Sequence, residues 1–296
     1  MDVIHTSGLT KYYGKVRGIE NLNLKIASGE IFGFLGPNGA GKTTTIRILV
    51  DLIRPTRGHA RIFGLDVQKH SVEIRRRVGN LPGDVSLYEH LTGDEFLKLM
   101  SSLHNNHSEK RKRALAKKLD LDLSRRIKTY SKGMKQKVAI IQAMMNDPEL
   151  LILDEPTSGL DPLVQREFYD LLKREQSRGK TIFFSSHILP EVERVCDRVG
   201  LLRRGMLVDI ESIDNLKSKR VRKLELTLKE DVPQERLAIP GIEISRIYGR
   251  HIEVFVHGHI GDLMPKLAGL PLEDVIFPEA TLEDTFMKFY SGGKAE

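Results

Sequence analysis

The 296-residue sequence has one cysteine, Cys196, and no continuous run of about 18 apolar residues. A single cysteine cannot form a disulfide within the chain, which fits a reducing compartment such as the cytoplasm. Without a long apolar run, the sequence predicts no membrane-spanning helix. The first residues, Met1–His5, show no basic start followed by an apolar stretch, so we predict no signal peptide. These absences together predict a cytoplasmic protein.

The chain is basic overall, with a formal net charge of +7. Residues after 215 hold 12 of the 47 Lys and Arg but 13 of the 40 Asp and Glu, so the basic excess lies before them. Such an excess suits nucleic acid, an anionic membrane surface or bound phosphates. The most basic segment, 109–118, contains no aromatic residue, and we interpret it as the solvated face of a helix. We therefore expect no nucleic-acid partner.

Short apolar runs alternate with longer amphipathic segments, a pattern typical of an α/β fold. Ile31–Leu35, Leu150–Leu153 and Thr181–Phe184 are predicted to be buried strands. Nearly continuous apolar character is what a strand covered on both faces by helices requires. Between about residues 85 and 148 the pattern is mainly helical, which predicts a helical subdomain inserted in the α/β core.

The chain after residue 215 has its own pattern. The polar and basic segment 216–222 is interpreted as a linker after a first domain at 1–215. Two alternating strands are predicted, at 224–228 and, after a turn at Gly249, at 252–256. Helical spacing predicts two helices, marked by Ile260, Leu263 and Leu267, and by Leu282, Phe286 and Phe289 behind an N-cap at Thr281. Residues 223–296 therefore predict a small α+β domain.

One segment matches the phosphate-binding pattern G-x-x-x-x-G-K-[ST] at every position. It consists of Gly36, Pro37, Asn38, Gly39, Ala40, Gly41, Lys42 and Thr43. Its glycines let backbone N–H groups surround a phosphate, and the helix that follows, through Thr44, adds the positive end of its dipole. Lys42 supplies a cation for the outer phosphates, and Thr43 supplies a hydroxyl for Mg²⁺. A predicted strand before the segment and a helix after it strengthen this interpretation.

Two carboxylates end the predicted strand Leu150–Leu153. Asp154 is a candidate to hold Mg²⁺, and Glu155 is a candidate general base that polarises the water attacking the γ-phosphate. His187 follows the predicted strand Thr181–Phe184 at its C-terminal end, where open α/β sheets bind ligands. We therefore predict that His187 senses the γ-phosphate.

These motifs, in this order, resemble the nucleotide-binding subunit of ATP-binding-cassette (ABC) transporters over roughly residues 2–215. The resemblance implies a P-loop ATPase core that binds ATP with Mg²⁺ and hydrolyses it. It also assigns Tyr13 to adenine stacking and His187 to the switch histidine. The signature motif corresponds to Ser131, Lys132, Gly133 and Met134, and the loop that contacts the partner corresponds to Ser158, Gly159, Leu160 and Asp161.

The resemblance further implies two subunits that enclose two nucleotides head to tail, as a homodimer or heterodimer. The signature segment, predicted to begin a helix with Val138, Ile141 and Met145 on its apolar face, would contact the γ-phosphate held by the opposite subunit. ATP binding would join the dimer and hydrolysis would release it. The motion would power a separate integral-membrane permease, with this chain peripheral on the inner face of the cell membrane.

The sequence departs from the family pattern in two motifs. Lys132 and Met134 replace residues that are usually glycine and glutamine, a variant similar to that of exporters with a separate permease. Gly83 stands where the family usually has glutamine, so either Asp84 replaces that side chain or coupling runs through the backbone. Residues 83–91 are our candidates for contact with the permease.

The tail resembles the small C-terminal domain of many exporter ATPases, which ends in a pattern like Ala280–Phe286. For this domain we expect a dimer-stabilising or regulatory role. Two alternatives to a transporter ATPase stay open at this point: a cassette ATPase acting on ribosomes or DNA, and a P-loop enzyme of another class such as a kinase. The signature segment and Asp161 argue against the kinase.

Overall fold

A computed structural model describes residues 2–103, 108–218, 222–233, 237, 239–256 and 260–277. The chain forms two compact units, residues 1–213 and residues 214–296. Within the described residues no helix is long and apolar enough to cross a membrane. The predicted linker 216–222 begins inside the helix Ile213–Ser218, and its residues 219–221 lie outside the described part.

The described strands of the first unit fall into an antiparallel sheet and a mainly parallel one. They are β1 (Asp2–Tyr13), β2 (Val16–Ala27), β3 (Ile31–Leu35), β4 (Arg57–Ile62), β5 (Leu65–Asp66), β6 (Val78–Leu81), β7 (Leu150–Asp154), β8 (Thr181–Ser186), β9 (Arg198–Arg203) and β10 (Met206–Ser212). Its α-helices are α1 (Lys42–Leu49), α2 (Ser71–Arg77), α3 (Gly93–Ser102), α4 (Glu109–Lys118), α5 (Lys132–Met144), α6 (Pro162–Ser177) and α7 (Leu189–Val195). The next helix, α8 (Ile213–Ser218), begins at the last residue of this unit.

The central sheet has the order β10-β9-β3-β8-β7-β6, and only β10 runs antiparallel to its neighbour. Every residue of β3, β7 and β8 is buried, as their apolar runs predict. The second sheet, β2-β1-β4-β5, is antiparallel. The main apolar core joins both sheets with α1, through residues such as Phe34, Ile152, Ile46 and Leu24.

The segment predicted to be helical contains α3, α4 and α5. A capping box begins α3, in which Thr92 accepts a hydrogen bond from the backbone of Glu95 and the Glu95 carboxylate bonds back to the Thr92 backbone. On α5, Val138 and Ile141 are fully buried, and Met145 just after it is buried too, as predicted.

The interpretation of 109–118 as a solvated face holds for only part of α4. Lys110 and Arg113 are exposed, but Lys112 is only 3% exposed and pairs with Asp94 and Glu109 at 2.6 and 2.8 Å. Lysine can be buried in this way because its ammonium group meets two carboxylates at the end of a long apolar stem. The basic run is therefore partly an internal anchor of the helical subdomain.

The second unit is an α+β arrangement in its described part. Its antiparallel sheet has the order β12-β13-β11-β14, and one helix, α9, completes its apolar core. The elements are β11 (Arg222–Leu228), β12 (Ile242–Tyr248), β13 (His251–Val256), α9 (Ile260–Leu267) and β14 (Leu272–Ile276). The predicted alternation buries 224, 226 and 228 on β11 and 252, 254 and 256 on β13. The predicted helix behind Thr281 and the Ala280–Phe286 pattern lie outside the described residues.

Candidate functional site

The central sheet brings the predicted phosphate, metal and switch residues together. Strands β3, β8 and β7 are adjacent and parallel, so their C-terminal ends meet at one edge of the sheet. The loop Gly36–Thr43 follows β3, Asp154 and Glu155 end and follow β7, and His187 follows β8. Ligands bind at such an edge in open α/β sheets.

Backbone from other segments lies very close to two glycines of the phosphate loop. A Cβ atom at Gly36 would lie 2.3 Å from the Leu202 carbonyl oxygen, and one at Gly41 would lie 2.5 Å from the Gly18 carbonyl oxygen. Gly41 also has φ +110°, in the region that favours glycine. Both positions therefore require glycine for steric reasons, and α1 begins directly after Gly41.

Lys42 lies inside the loop that it is predicted to serve. Its side chain is 5% exposed, and its Nζ donates to the Gly36 and Pro37 carbonyl oxygens at 2.7 and 3.3 Å. The same Nζ lies 3.3 Å from Glu155 Oε1. The ammonium group is thus held at the centre of the loop, between backbone acceptors and the predicted general base.

Thr43 and Asp154 are in direct contact. Thr43 Oγ1 donates to Asp154 Oδ2 at 2.7 Å, and Ser185 Oγ donates to Asp154 Oδ1 at 2.5 Å. Asp154 is 1% exposed, so its carboxylate is held in one orientation. Two hard oxygen ligands therefore converge here, which is the donor set that Mg²⁺ prefers beside phosphate oxygens.

Glu155 and His187 also meet. His187 Nδ1 lies 3.1 Å from Glu155 Oε1, and the Glu155 backbone N–H donates to Ser185 O and Ser185 Oγ, both at 3.2 Å. Glu155 has φ +47°, an uncommon conformation for a residue with a side chain. Such local strain is characteristic of functional positions. The Glu155 carboxylate contacts both Lys42 and His187.

Tyr13 lies beside the start of α1. Its hydroxyl is 3.5 Å from Thr44 Oγ1, and the residue, at the end of β1, is 44% exposed. The ring packs close to Gly18, where a Cβ atom would lie 3.0 Å from Tyr13 Cε2. An exposed aromatic face next to the phosphate loop has the placement that base stacking requires.

The predicted signature segment begins α5. Ser131 is the N-cap, and its Oγ accepts a hydrogen bond from the Met134 backbone N–H at 3.2 Å. A Cβ atom at Gly133 would lie 2.7 Å from the Gly159 carbonyl oxygen. The signature segment of this chain therefore packs against the predicted partner-contact loop of the same chain.

That loop, Ser158–Asp161, leads into α6. Asp161 is the N-cap of α6, and its carboxylate accepts from the backbone N–H groups of Leu163 and Val164 at 3.1 and 3.0 Å. Gly159 adopts φ +78°, and Leu160 is buried. Within one chain, then, Asp161 stabilises a helix start, while Ser158 is half-buried and Gly159 is exposed.

Gly83 lies beside the predicted metal residues. A Cβ atom at this position would lie 3.2 Å from Asp154 Oδ2, whereas Gly83 and Asp84 are both exposed. A side chain at position 83 would therefore reach the Thr43–Asp154 pair. The missing glutamine thus leaves no side chain at position 83 to contact the predicted metal residues.

Several residues that shape the site are not among those predicted. Ser185 orients Asp154, Gln136 donates from Nε2 to the Pro156 carbonyl oxygen at 2.9 Å, and Glu191 binds the hydroxyls of Thr157 and Ser186. They share one signal in the sequence: each lies within four residues of a predicted site residue.

Comparison with known proteins identifies the family. A family model described as "ABC transporter" matches residues 19–158. The bacitracin transport ATP-binding protein BcrA of Bacillus licheniformis is 37% identical over 304 residues, covering 98% of this chain and 98% of that protein. This chain belongs to the ABC transporter ATP-binding subunits. As a member of that family it binds ATP and is an ATPase.

Other similar proteins and solved structures belong to the same family as this ABC subunit. The bacitracin transport ATP-binding protein of Enterococcus faecalis is 34% identical and covers 98% of this chain and 97% of its own length. A solved ATP-binding subunit of an ABC transporter matches with a TM-score of 0.69 at 32% identity, over 73% of this chain and 92% of that one. A dimeric ATP-binding cassette solved in a post-hydrolysis state with ADP and Pi matches with a TM-score of 0.65 at 25% identity, over 71% of this chain and 98% of that one.

Proposed function

We propose that this ABC ATPase powers an exporter whose membrane path is a separate permease, and that it works as a dimer at the inner face of the cell membrane. The observation that supports export is similarity over the whole chain, second unit included, to two bacitracin transport ATP-binding proteins. The ATP-binding subunit NatA of Bacillus subtilis, by comparison, is 40% identical over 68% of this chain. A bacitracin-like peptide antibiotic is the class of cargo that we propose to test first.

In the proposed mechanism, the loop Gly36–Thr43 and Thr44 bind the phosphates and Tyr13 stacks on the adenine. Lys42 moves from the Gly36 and Pro37 carbonyl oxygens to the β- and γ-phosphates, which replace those acceptors. This move also releases the 3.3 Å contact between Lys42 and Glu155, so that the carboxylate becomes free to accept a proton from water.

Thr43 and Asp154 are the residues that would hold Mg²⁺. When bound, the ion would neutralise charge on the β- and γ-phosphates. The 2.7 Å hydrogen bond between Thr43 Oγ1 and Asp154 Oδ2 supports this pairing, because it brings the two oxygens together. Ser185 keeps the Asp154 carboxylate in that orientation through Oδ1.

Glu155 is proposed to be the general base. His187 is proposed to contact the γ-phosphate and to align it with Glu155. The contact of 3.1 Å between His187 Nδ1 and Glu155 Oε1 supports this pairing. The second half of each site would come from the opposite subunit, through Ser131–Met134 at the N-terminus of α5. Ser158–Asp161 would then lie at the dimer interface.

A cleft of about 530 Å³ between the β6–α3 connection and α5 is the proposed permease contact. Its lining includes the aromatic residues Tyr88 and Phe96 and the basic residues Arg75 and Arg76. Residues 85–88 of the predicted contact segment 83–91 also line it, as does Pro82 just before that segment. An amphipathic segment of the permease fits this combination of apolar and basic lining residues.

The Glu155→Gln variant tests the hydrolytic assignment. It should bind ATP with affinity close to wild type, lose ATP turnover by about a hundredfold or more, and accumulate as a dimer with MgATP in size-exclusion chromatography with light scattering. Glu167→Gln, an exposed change on α6, is the matched control and should behave as wild type. Normal turnover by Glu155→Gln would refute the base assignment.

Co-purification tests the transport assignment. The tagged chain, isolated from detergent-solubilised membranes of its own cells, should bring down a protein with several transmembrane helices, identified by mass spectrometry. Cells lacking the chain should be more sensitive to the exported peptide. Recovery of ribosomal or DNA-bound proteins in place of a membrane protein would support the non-transport alternative.

A further inference from the structure

A buried carboxyl group connects two of the loops described above. Glu191 lies on α7 and is 7% exposed. Its Oε1 accepts from Thr157 Oγ1 and its Oε2 accepts from Ser186 Oγ, both at 2.6 Å. Thr157 immediately precedes the partner-contact loop Ser158–Asp161, and Ser186 immediately precedes His187. One side chain therefore joins the residues that flank these two functional elements.

On one side, Glu191 fixes the turn that holds His187. Ser186 donates its hydroxyl proton to Glu191, so its Oγ is free to accept the Ile188 backbone N–H at 2.9 Å. This pair of bonds closes the turn with His187 between its two ends. The Ser186 carbonyl oxygen also accepts from the Gly36 backbone N–H at 3.3 Å, which connects the same turn to the phosphate loop.

On the other side, Glu191 fixes the start of the partner-contact loop. The Thr157 carbonyl oxygen accepts from the Leu160 backbone N–H at 3.0 Å, which forms the turn that leads to Asp161. Pro156, just before Thr157, accepts from Gln136 of α5. The position of Thr157 thus determines how the loop leaves β7 and how it meets the signature helix.

Burying the Glu191 carboxylate costs free energy, and hydrogen bonds to both of its oxygens offset that cost. Burying a carboxylate is expensive unless its oxygens are paired by hydrogen bonds. Here two hydroxyl groups supply the bonds, and Tyr169 of α6 is a third neighbour. Burial raises the pKa of Tyr169, and the charge and hydrogen bond of Glu191 raise it further. An apolar side chain would fill this space at a lower cost, but it could not hold two hydroxyls at a fixed spacing.

We propose that Glu191 is a positioning residue that holds His187 and the partner-contact loop at a fixed spacing, so that engagement of the loop by the second subunit and alignment of His187 occur together. This inference rests on the proposed roles of His187 and of Ser158–Asp161. It adds to them a physical link that runs through Thr157, Glu191 and Ser186.

The test is the Glu191→Gln variant of the full chain. An amide offers one acceptor oxygen in place of two, so one of the two hydroxyl bonds must rearrange. We expect kcat for ATP to fall about tenfold, since small misplacements of catalytic groups cost up to about a hundredfold. KM for ATP and binding of a fluorescent ATP analogue should stay within about threefold, because Glu191 contacts neither the phosphate loop side chains nor Tyr13.

Glu175→Gln is the matched control. Glu175 is similarly buried, at 5% exposure, but it pairs with Arg111 and Arg178 at the far end of α6. Both variants should lower the thermal unfolding midpoint, and only Glu191→Gln should lower kcat. In ¹⁵N-labelled protein the His187 ring signals should shift in Glu191→Gln and not in Glu175→Gln. Equal kcat in the two variants, or unmoved His187 signals, would overturn the inference.

Two further variants separate this inference from the proposed function. If His187→Ala abolishes turnover while Glu191→Gln leaves kcat unchanged, only the inference fails. If His187→Ala itself retains wild-type kcat, the proposed role of His187 fails first. In a double-mutant cycle, adding Glu191→Gln to Ser186→Ala should cost less than a further twofold in kcat, because both changes break one link. Independent, multiplicative losses would contradict a shared link.

Discussion

Arg111 offers a sharp test of how the helical subdomain is attached to the ATPase core. The side chain, on α4, is 17% exposed and has three partners. Its Nε donates to the Met144 carbonyl oxygen at 2.9 Å, its Nη2 donates to Glu175 Oε2 at 2.7 Å, and its Nη1 lies 3.4 Å from Asp147 Oδ1. One guanidinium group therefore connects α4, the end of α5 and α6. The perturbation is Arg111→Met, which keeps an unbranched stem and removes the charge.

The expected loss of stability follows from the carboxylate partners that Arg111→Met leaves without the guanidinium group. Glu175 is 6% exposed on its side chain and would retain only Arg178, which is half exposed. Breaking one side of a buried ion pair costs about 3–5 kcal/mol, and the remaining partner places this case near 3 kcal/mol. For a unit of this size about 3 kcal/mol corresponds to a fall of roughly 6–12 °C in Tm.

Differential scanning calorimetry at neutral pH measures this effect. Lys110→Met, an exposed change on the same helix, is the control and should alter stability by less than about 0.5 kcal/mol. Adding Glu175→Gln to Arg111→Met should recover part of the loss, with a coupling of about 1–3 kcal/mol. A Tm for Arg111→Met as close to wild type as that of the control would refute the reasoning and would mean that solvent replaces the guanidinium group without cost.

Three other changes have definite expected outcomes. Gly133→Ala would place a methyl group 2.7 Å from the Gly159 carbonyl oxygen, so we expect MgATP-dependent dimerisation, measured by light scattering, to weaken. Gly83→Gln directs an amide toward Asp154 and should tighten Mn²⁺ binding with a non-hydrolysable ATP analogue about tenfold, measured by electron paramagnetic resonance. For Asp147, burial alone would raise the pKa, but the charges of Arg111 and neighbouring cations outweigh it and lower the pKa. Its stabilising contribution is therefore present above the unfolded pKa and lost at lower pH, so the Tm difference between wild type and Asp147→Asn should shrink below about pH 4.

The sequence predicted the parts of the fold that depend on local pattern. The runs Ile31–Leu35, Leu150–Leu153 and Thr181–Phe184 are strands because their residues are apolar on both faces, and the structure buries every one of them. The phosphate loop was predictable for a similar reason, since its chemistry requires glycines and a Lys-Thr pair in direct succession. Strand β6, Val78–Leu81, gave no such signal because it is short and contains Gly79 and Asn80.

Contacts between distant segments were not predictable in this way. From the sequence, Lys112 and Arg111 are predicted to belong to a charged surface. In the structure Lys112 pairs with Asp94 and Arg111 pairs with Glu175, and neither partner is a neighbour in the sequence. Glu191 looks like an ordinary helix residue, because its two partners lie 34 and 5 residues away and only the fold brings them together. Whether a charged side chain is solvated or buried depends on its partners, and hydrophobic periodicity does not reveal them.

Contacts within the fold also explain why the signature segment can have Lys132 in place of glycine. Lys132 departs from the glycine that the family usually has, yet its stem atoms Cδ and Cγ would lie 3.3 Å from a Cβ atom at Gly159, so the methylenes cover that glycine. A glycine at position 132 would leave this surface of the partner-contact loop bare. The lysine also adds a positive charge to the N-terminus of α5, where a cation costs about 0.3–1 kcal/mol and where the first turn has no acidic residue. An anionic group at that N-terminus offsets the cost, and the proposed dimer places the γ-phosphate of the opposite subunit there.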